Sequence, residues 1–265
     1  MHLEIWQWAV VIFAAYGIGL AKTGITGVGI IAVSLFAYAL GGPASMGVVL
    51  PLLILTDCIA VLYYRRHAVW SHLWRLFPWA GLGVVLGWIT MRWLHDDSQI
   101  SHLMGGLLLG LILLQLVQRV NVARRKAQNP EQEDQTPSVG LLASGGVITL
   151  SLGLLAGFST MVANASGPLM VLYLLAARLP KMEFVGTGAW YYFCLNLFKV
   201  PFSWQLNMLN LTALRMALTL SPVAIAGAFS GRKILPHINQ HLFENLSLIL
   251  TALAAVKLLL TAHKP

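Results

Sequence analysis

The stretch that decides the fold is Gly17-Ile-Gly-Leu-Ala-Lys-Thr-Gly-Ile-Thr-Gly-Val-Gly29, in which Lys22 interrupts an apolar run. A second lysine, Lys199, closes the apolar run that starts at Trp190, at a related place in the other half of the chain. A cation inside a membrane-spanning segment costs ~3 kcal/mol or more on insertion scales, so it is rarely kept without a use. The two lysines therefore indicate a path for an anion through a bilayer.

The composition indicates a polytopic membrane protein. Of the 265 residues, 58% are hydrophobic and only 10% are charged, which leaves too few polar residues to cover a soluble globule of this size. The formal net charge of +8 comes from short basic loops beside apolar runs, so we expect no nucleic-acid partner. Cys58 and Cys194 lie in apolar runs without a CxxC neighbour, so we expect no metal site, no disulfide framework and no cofactor.

Apolar stretches follow one another along the chain, and several reach the ~20 residues that a membrane-spanning helix requires. They lie at about 3–21, 28–41, 45–64, 75–94, 101–119, 138–158, 164–177, 183–204, 211–230 and 242–262. Two of them, 28–41 and 164–177, are too short to span and each follows a break, so they are predicted to be broken or re-entrant helices. The polar interval 121–137 predicts a cytoplasmic linker between a first transmembrane repeat, residues 1–120, and a second, residues 138–265.

The basic residues orient these segments. With the N-terminus outside, ten segments place Arg65-Arg66, Arg124-Arg125-Lys126 and Arg232-Lys233 in the cytoplasm and leave Asp96-Asp97 outside. Both termini are then outside. Because each half has five segments, the second half would run antiparallel to the first, which predicts an all-α fold of two inverted repeats, a plan common among secondary transporters.

Matching residues support the repeat. At one constant offset, Thr23 corresponds to Thr160 and Pro43 to Pro180. With a shift of two residues, Asp57 corresponds to Asn196 in the long helix that follows each break.

The two breaks, which begin at Lys22 and at Ser159, are expected to hold the binding site. Each combines small residues, hydroxyl groups and helix breakers, so that free backbone N–H groups can face an anion at the start of the next helix. Non-helical backbone at membrane depth also requires a cavity or protein around it. The alternative is that the glycines only allow close helix packing and that the hydroxyl groups bond to nearby carbonyls. The candidate substrate-binding residues are Lys22, Thr23, Gly24, Gly27, Thr160, Asn164, Ser166, Gly167, Thr187, Asn196 and Lys199.

Three charged side chains carry the expected chemistry. Lys22 is the first candidate for the ion partner of the anion. Lys199 shares a helical face with Asn196. For either lysine, the alternative is a side chain that reaches back to the membrane interface. Asp57 is a carboxylate well inside a predicted span, which makes it the candidate proton carrier. Its alternative role is a structural ion pair with one of the lysines.

These motifs, in this order, resemble the sulfite exporter family of TauE/SafE-type permeases. The resemblance rests on Gly19-Leu-Ala-Lys-Thr-Gly-Ile-Thr-Gly-Val-Gly, Leu50-Pro-Leu-Leu-Ile-Leu-Thr-Asp, Gly157-Phe-Ser-Thr-Met-Val-Ala-Asn-Ala-Ser-Gly-Pro and Asn196-Leu-Phe-Lys, and it covers nearly the whole chain. It implies a secondary carrier of the bacterial inner membrane that moves sulfite, thiosulfate or organosulfonates. Where members often have a His-Ala-Gly-Gly-Pro turn, this chain has Asn164-Ala-Ser-Gly-Pro, so a titratable group is missing here.

Two other classes of function use some of the same features. An intramembrane enzyme would need a buried general base, but the eight histidines lie at segment ends or in loops, so we expect no enzyme. A passive anion channel could use the same lining, and only coupling would distinguish it from a carrier. The expected partners are a small anion (sulfite, thiosulfate or sulfonate) and membrane lipid, with a homodimer left open.

Overall fold

A computed structural model describes residues 3–24, 28–94, 146–177 and 179–237, and in these ranges the chain is all helical, without β-strands. Eight α-helices are described: α1 (Ile5–Thr23), α2 (Val28–Leu40), α3 (Gly42–Tyr64), α4 (Trp70–Trp93), α5 (Gly146–Ala163), α6 (Gly167–Ala176), α7 (Lys181–Gln205) and α8 (Leu211–Ile234). Short 3₁₀ turns follow α3 and α8, at Arg65–His67 and Leu235–His237. The predicted all-α fold is confirmed.

Four helices in the described ranges are long and apolar enough to cross a membrane: Ile5–Thr23, Ala44–His67, Trp70–Trp93 and Leu211–Ile234. They also expose large apolar side chains, among them Phe13, Leu62, Trp74 and Leu218, on the outside of the bundle. Such an apolar surface is unfavourable in contact with water and favourable in contact with lipid. The chain is therefore a multi-pass membrane protein. Helix α7 has 25 residues but includes the charged Lys181, Glu183 and Lys199, which lower its hydropathy.

Helices α2 and α6 are short, as predicted for the segments after the two breaks. They contain 13 and 10 residues, or ~20 and ~15 Å at 1.5 Å per residue, which is less than the ~30 Å hydrocarbon core. Helix α1 ends at Thr23 before α2 begins at Val28, and α5 ends at Ala163 before α6 begins at Gly167. The two short helices approach each other at Gly167, where a Cβ atom would lie 3.7 Å from Ile30 Cγ1.

Long helices of the first half pack against long helices of the second half. Helix α1 packs on α8 and α4 packs on α5, while α3 contacts α7 and α8. Glycines allow the closest approaches: a Cβ atom at Gly227 would collide with the carbonyl oxygen of Tyr16, and one at Gly83 would collide with that of Leu154. Small residues let helix backbones meet in this way in membrane proteins.

Two hydrophobic clusters form the core, and each contains helices from both halves. One cluster joins α1, α2, α3 and α8, with Val11, Phe36 and Leu220 among its members. The other is built mainly from α4, α5, α6 and α7, and includes Leu73 and Tyr191. Between them, α3 meets α7. The predicted segments 101–119 and 242–262 and the linker 121–137 lie outside the described residues.

Candidate functional site

A buried ion pair lies where the C-terminal end of α1 meets the middle of α3 and of α7. Lys22, in the last turn of α1, places its Nζ atom 2.7 Å from Oδ1 of Asp57 on α3. Asn196 on α7 donates from Nδ2 to the other carboxylate oxygen, Oδ2, at 2.7 Å. The Asp57 side chain is 0% exposed and that of Lys22 is 11% exposed. One oxygen of the buried carboxylate is therefore ion-paired to the first half of the chain, and the other accepts a hydrogen bond from the second half.

An aromatic ring covers the ammonium of this pair. Lys22 Nζ lies 4.0 Å from the centroid of the Tyr192 ring, within the ~6 Å at which a ring face attracts a cation. Tyr192 is one helical turn before Asn196, so both side chains lie on the same face of α7. Tyr192 is not among the residues predicted from the sequence, although its i, i+4 spacing to Asn196 is a signal that would have indicated it.

A small cavity opens beside Lys22. It is lined by Ala21 and Lys22 from α1, by Met170, Val171 and Leu174 from α6, and by Phe184, Val185, Gly188, Ala189 and Tyr192 from α7. Lys22 is the charged member of this lining, and most of the other members are apolar. The cavity thus offers a cation at one side and hydrocarbon on the others.

The second lysine, Lys199, donates hydrogen bonds to residues of the second break. Lys199 Nζ donates to the carbonyl oxygen of Thr160 at 2.9 Å, to its hydroxyl oxygen at 3.2 Å and to Oδ1 of Asn164 at 2.5 Å. Three acceptors match the three N–H donors of an ammonium. Asn164, the residue directly after α5, has a φ of 51°, in the left-handed region. A cation at the C-terminus of a helix is also favoured by the helix dipole.

Lys199 makes no ion pair with a carboxylate in the described part of the chain, whereas Lys22 is paired with Asp57. Its side chain is nevertheless buried, with 1% exposure. Two lysines and one carboxylate are thus buried among these helices. If all three are ionised, this region carries a net positive charge.

Several predicted binding residues contact neighbouring helices. The Thr23 hydroxyl donates to the carbonyl oxygen of Ala228 on α8 at 2.5 Å, and a Cβ atom at Gly24 would lie 2.8 Å from Gly231. The Thr187 hydroxyl accepts the Val69 N–H at 2.9 Å, which fixes the start of α4 to α7.

The remaining predicted residues lie at the second break or outside the described residues. Ser166 is the N-cap residue of α6, although its side chain makes no capping hydrogen bond, and Gly167 follows it. Gly27 is outside the described residues. The structure thus brings Lys22, Asp57 and Asn196 together, and Lys199, Thr160 and Asn164 form a neighbouring cluster.

One further contact closes the first break. The Tyr64 hydroxyl, at the end of α3, donates to the carbonyl oxygen of Thr23 at 2.9 Å. The matched threonines, Thr23 and Thr160, therefore have similar partners. The carbonyl of Thr23 accepts from Tyr64 of α3, and the carbonyl of Thr160 accepts from Lys199 of α7. Among the described residues no cluster of histidine, cysteine and acidic side chains could hold a metal ion.

The apolar spans, the broken helices and the buried charges define a helical membrane transporter. The chain belongs to the sulfite exporter TauE/SafE family, whose family model matches residues 11–258. This is a family of membrane transporters and not of enzymes. Among curated proteins and solved structures, none matches the chain.

Proposed function

We propose that this protein is a secondary transporter that exports small sulfur-containing anions, such as sulfite, thiosulfate or sulfonates, across the bacterial inner membrane. The observation that carries the proposal is the buried pair of Lys22 and Asp57 at a cavity between the halves. An ammonium at this position can bind an anion strongly because little water competes for it. The uncompensated Lys199 adds to the attraction for a negative charge.

The substrate anion and Asp57 compete for the same ammonium. While Asp57 is ionised, its Oδ1 atom occupies Lys22. A proton on Asp57 removes that charge, and Lys22 is then free to bind the anion, while Asn196 can still donate to the neutral carboxyl group. Anion and proton would therefore enter and leave the site together, so transport depends on the pH gradient as well as on the anion gradient. A high cytoplasmic concentration of the anion drives its export.

The packing of the helices supports the two inverted five-segment repeats. In the proposed repeat, α1, α3 and α4 of the first half correspond to α5, α7 and α8 of the second. The contact of α1 with α8 then corresponds to the contact of α5 with α4, and the contact of α3 with α7 corresponds to itself. Pro78, Gly83 and Gly87 of α4 have the same spacing as Pro222, Gly227 and Gly231 of α8. The hydrogen bond between the matched residues Asp57 and Asn196 is the contact expected beside a two-fold axis.

In this proposal the repeats are residues 1–120 and 138–265, joined by the cytoplasmic linker 121–137, and both termini are outside. Alternating access then follows from rocking of one bundle against the other around the buried charges.

Flux into proteoliposomes tests this function. The purified protein should carry at least one of sulfite, thiosulfate or an alkylsulfonate, with saturation, with acceleration by the same anion on the opposite side, and with accumulation driven by an imposed pH gradient. Acceleration from the opposite side is expected of a carrier and not of a channel. Flux without saturation would support a channel instead, and no flux for any of these anions would contradict the proposed substrate class.

A further inference from the structure

We propose that Tyr64 is a positioning residue for transport: its hydroxyl group keeps the end of α1 on α3 when a proton on Asp57 releases Lys22. This inference rests on the proposed function, since it concerns the same site. It goes beyond that function by naming the contact that holds the ammonium of Lys22 in place while the ion pair is absent.

The first argument is that α3 holds the end of α1 at two adjacent residues. Asp57 Oδ1 lies 2.7 Å from Lys22 Nζ, and the Tyr64 hydroxyl donates to the carbonyl oxygen of Thr23 at 2.9 Å. Asp57 and Tyr64 are about two helical turns apart, so they lie on the same face of α3. The two contacts together fix where α1 ends, and with it the position of the Lys22 ammonium.

The second argument is that the two contacts respond differently to a proton. The ion pair depends on the charge of Asp57, whereas the hydrogen bond from Tyr64 joins a neutral hydroxyl to a neutral carbonyl. In the proposed coupling, protonation of Asp57 leaves Lys22 without its carboxylate partner. The Tyr64 hydroxyl still joins the end of α1 to α3 in that state, so the ammonium stays where the anion can reach it.

The third argument is that the end of α1 needs an anchor at this point. The Thr23 carbonyl is among the last four of the helix, which have no partner within α1. The Thr23 hydroxyl donates to Ala228 on α8, which leaves Tyr64 to bind this residue to α3. Thr23 is 0% exposed and Tyr64 is 4% exposed, so water does not readily replace a lost hydrogen bond here.

The two contacts predict an effect of Tyr64→Phe that depends on Asp57. An ammonium that is in place for only a fraction of the time lowers the apparent anion affinity by that fraction. In the Asp57→Asn background, Tyr64→Phe should therefore raise the half-saturation concentration for anion exchange about fivefold and leave the maximal rate unchanged. Fivefold is the factor that corresponds to ~1 kcal/mol for one hydrogen bond. With Asp57 present the rise should be smaller, because the ion pair also holds the end of α1.

The test uses full-length protein in proteoliposomes and whichever of sulfite, thiosulfate and methanesulfonate the unmodified protein carries. Tyr173→Phe is the matched control, because it removes the hydroxyl of another buried tyrosine, which contacts His72 Nδ1 at 2.9 Å between α6 and α4. Its effect should be the same with and without Asp57. An equal factor for Tyr64→Phe in both backgrounds, or no change in either, would overturn this inference while the transport function stands. Failure of the unmodified protein to carry any of these anions would instead contradict the proposed function.

Amide hydrogen exchange gives a readout that does not need transport. The ring of Tyr64 is part of the hydrophobic core and is retained in phenylalanine, so Tyr64→Phe should fold. It should make the amides of the last turn of α1, residues 20–23, exchange about fivefold faster through local opening, whereas Tyr173→Phe should leave them unchanged. Unchanged exchange of this turn in Tyr64→Phe would overturn the inference even if Asp57→Asn does not fold.

Discussion

At the scale of single residues, the buried carboxylate of Asp57 is the centre of the site. One of its oxygen atoms is ion-paired with Lys22 from the first half of the chain, and the other accepts a hydrogen bond from Asn196 of the second half. An ion pair at this depth is costly to bury and costly to break, because removal of one partner leaves the other charge without compensation. The pair is therefore compatible both with a structural role and with a coupling role, and the two roles lead to different results in mutants.

Lys22→Ala should reduce anion transport by about 30-fold or more, because loss of a buried charge partner costs ~2–5 kcal/mol. Arg65→Ala should have little effect, since Arg65 lies exposed in the 3₁₀ turn after α3. The measurement is initial flux in proteoliposomes with matched protein content. Equal, mild effects of the two substitutions would show that Lys22 does not bind the anion.

A double variant separates binding from folding. Lys22→Ala alone leaves Asp57 buried and unpaired, so it should also lower the thermal stability of the protein. Lys22→Ala combined with Asp57→Asn removes both charges and should recover most of that stability without recovering transport. Recovery of transport in the double variant would mean that Lys22 serves only to neutralise Asp57.

Asp57→Asn should abolish accumulation driven by a pH gradient and preserve exchange of the anion across the membrane. The neutral amide resembles the protonated acid, which leaves Lys22 free at every pH. Accumulation and exchange are measured in the same proteoliposomes, with and without the gradient. A full response of the mutant to pH would show that another group carries the proton, whereas loss of the folded protein would favour a structural ion pair.

At the scale of elements, close helix pairs depend on glycines that have equivalents in the two halves. Gly83 brings α4 against α5, and Gly227 brings α8 against α1. In each case an added Cβ atom would meet a backbone oxygen, which cannot turn away as a side chain could. The pairs thus fix the distance between helices, and through it the position of the breaks at which α1 and α5 end.

Gly83→Ala and Gly227→Ala should each destabilise the protein by a similar amount, of about 1–3 kcal/mol, the usual cost of overpacking. Gly81→Ala provides the control, because its Cβ atom makes only an ordinary contact with Phe198. Thermal unfolding in detergent, followed by tryptophan fluorescence, gives the comparison. A stability loss for Gly81→Ala as large as for the other two would contradict the role of close packing.

At the scale of the whole molecule, the proposed inverted repeat requires that the second half of the chain crosses the membrane in the opposite orientation to the first. Single cysteines placed at Asp97 and at Glu133, in a background without Cys58 and Cys194, should be labelled by an impermeant thiol reagent from opposite sides, with position 97 outside. Both positions lie in predicted loops outside the described residues. Labelling of both from the same side would contradict the inverted arrangement.

Much of the fold could be predicted because the relevant signals are local. Runs of apolar residues determine helices in a membrane, where every backbone group must be bonded within its own segment. The breaks after Lys22 and before Gly167 could likewise be located from glycine, asparagine and proline, since these residues change the backbone wherever they occur. Helices α2 and α6 accordingly begin where the breaks end.

The sequence by itself determined the class of protein and the broken helices, and it made Lys22, Asp57 and Lys199 candidate site residues, because a charge in an apolar run is conspicuous wherever the helix packs. Only the tertiary structure decided which partners these charges have: Asp57 for Lys22, and the end of α5 for Lys199. Likewise it placed the Tyr192 ring over Lys22 and gave the hydroxyl groups of Thr23 and Thr187 their hydrogen-bond partners, the carbonyl of Ala228 and the N–H of Val69. The physical reason is that a hydrogen bond or ion pair depends on distances of a few ångströms between helices far apart in the chain, and no local pattern encodes them.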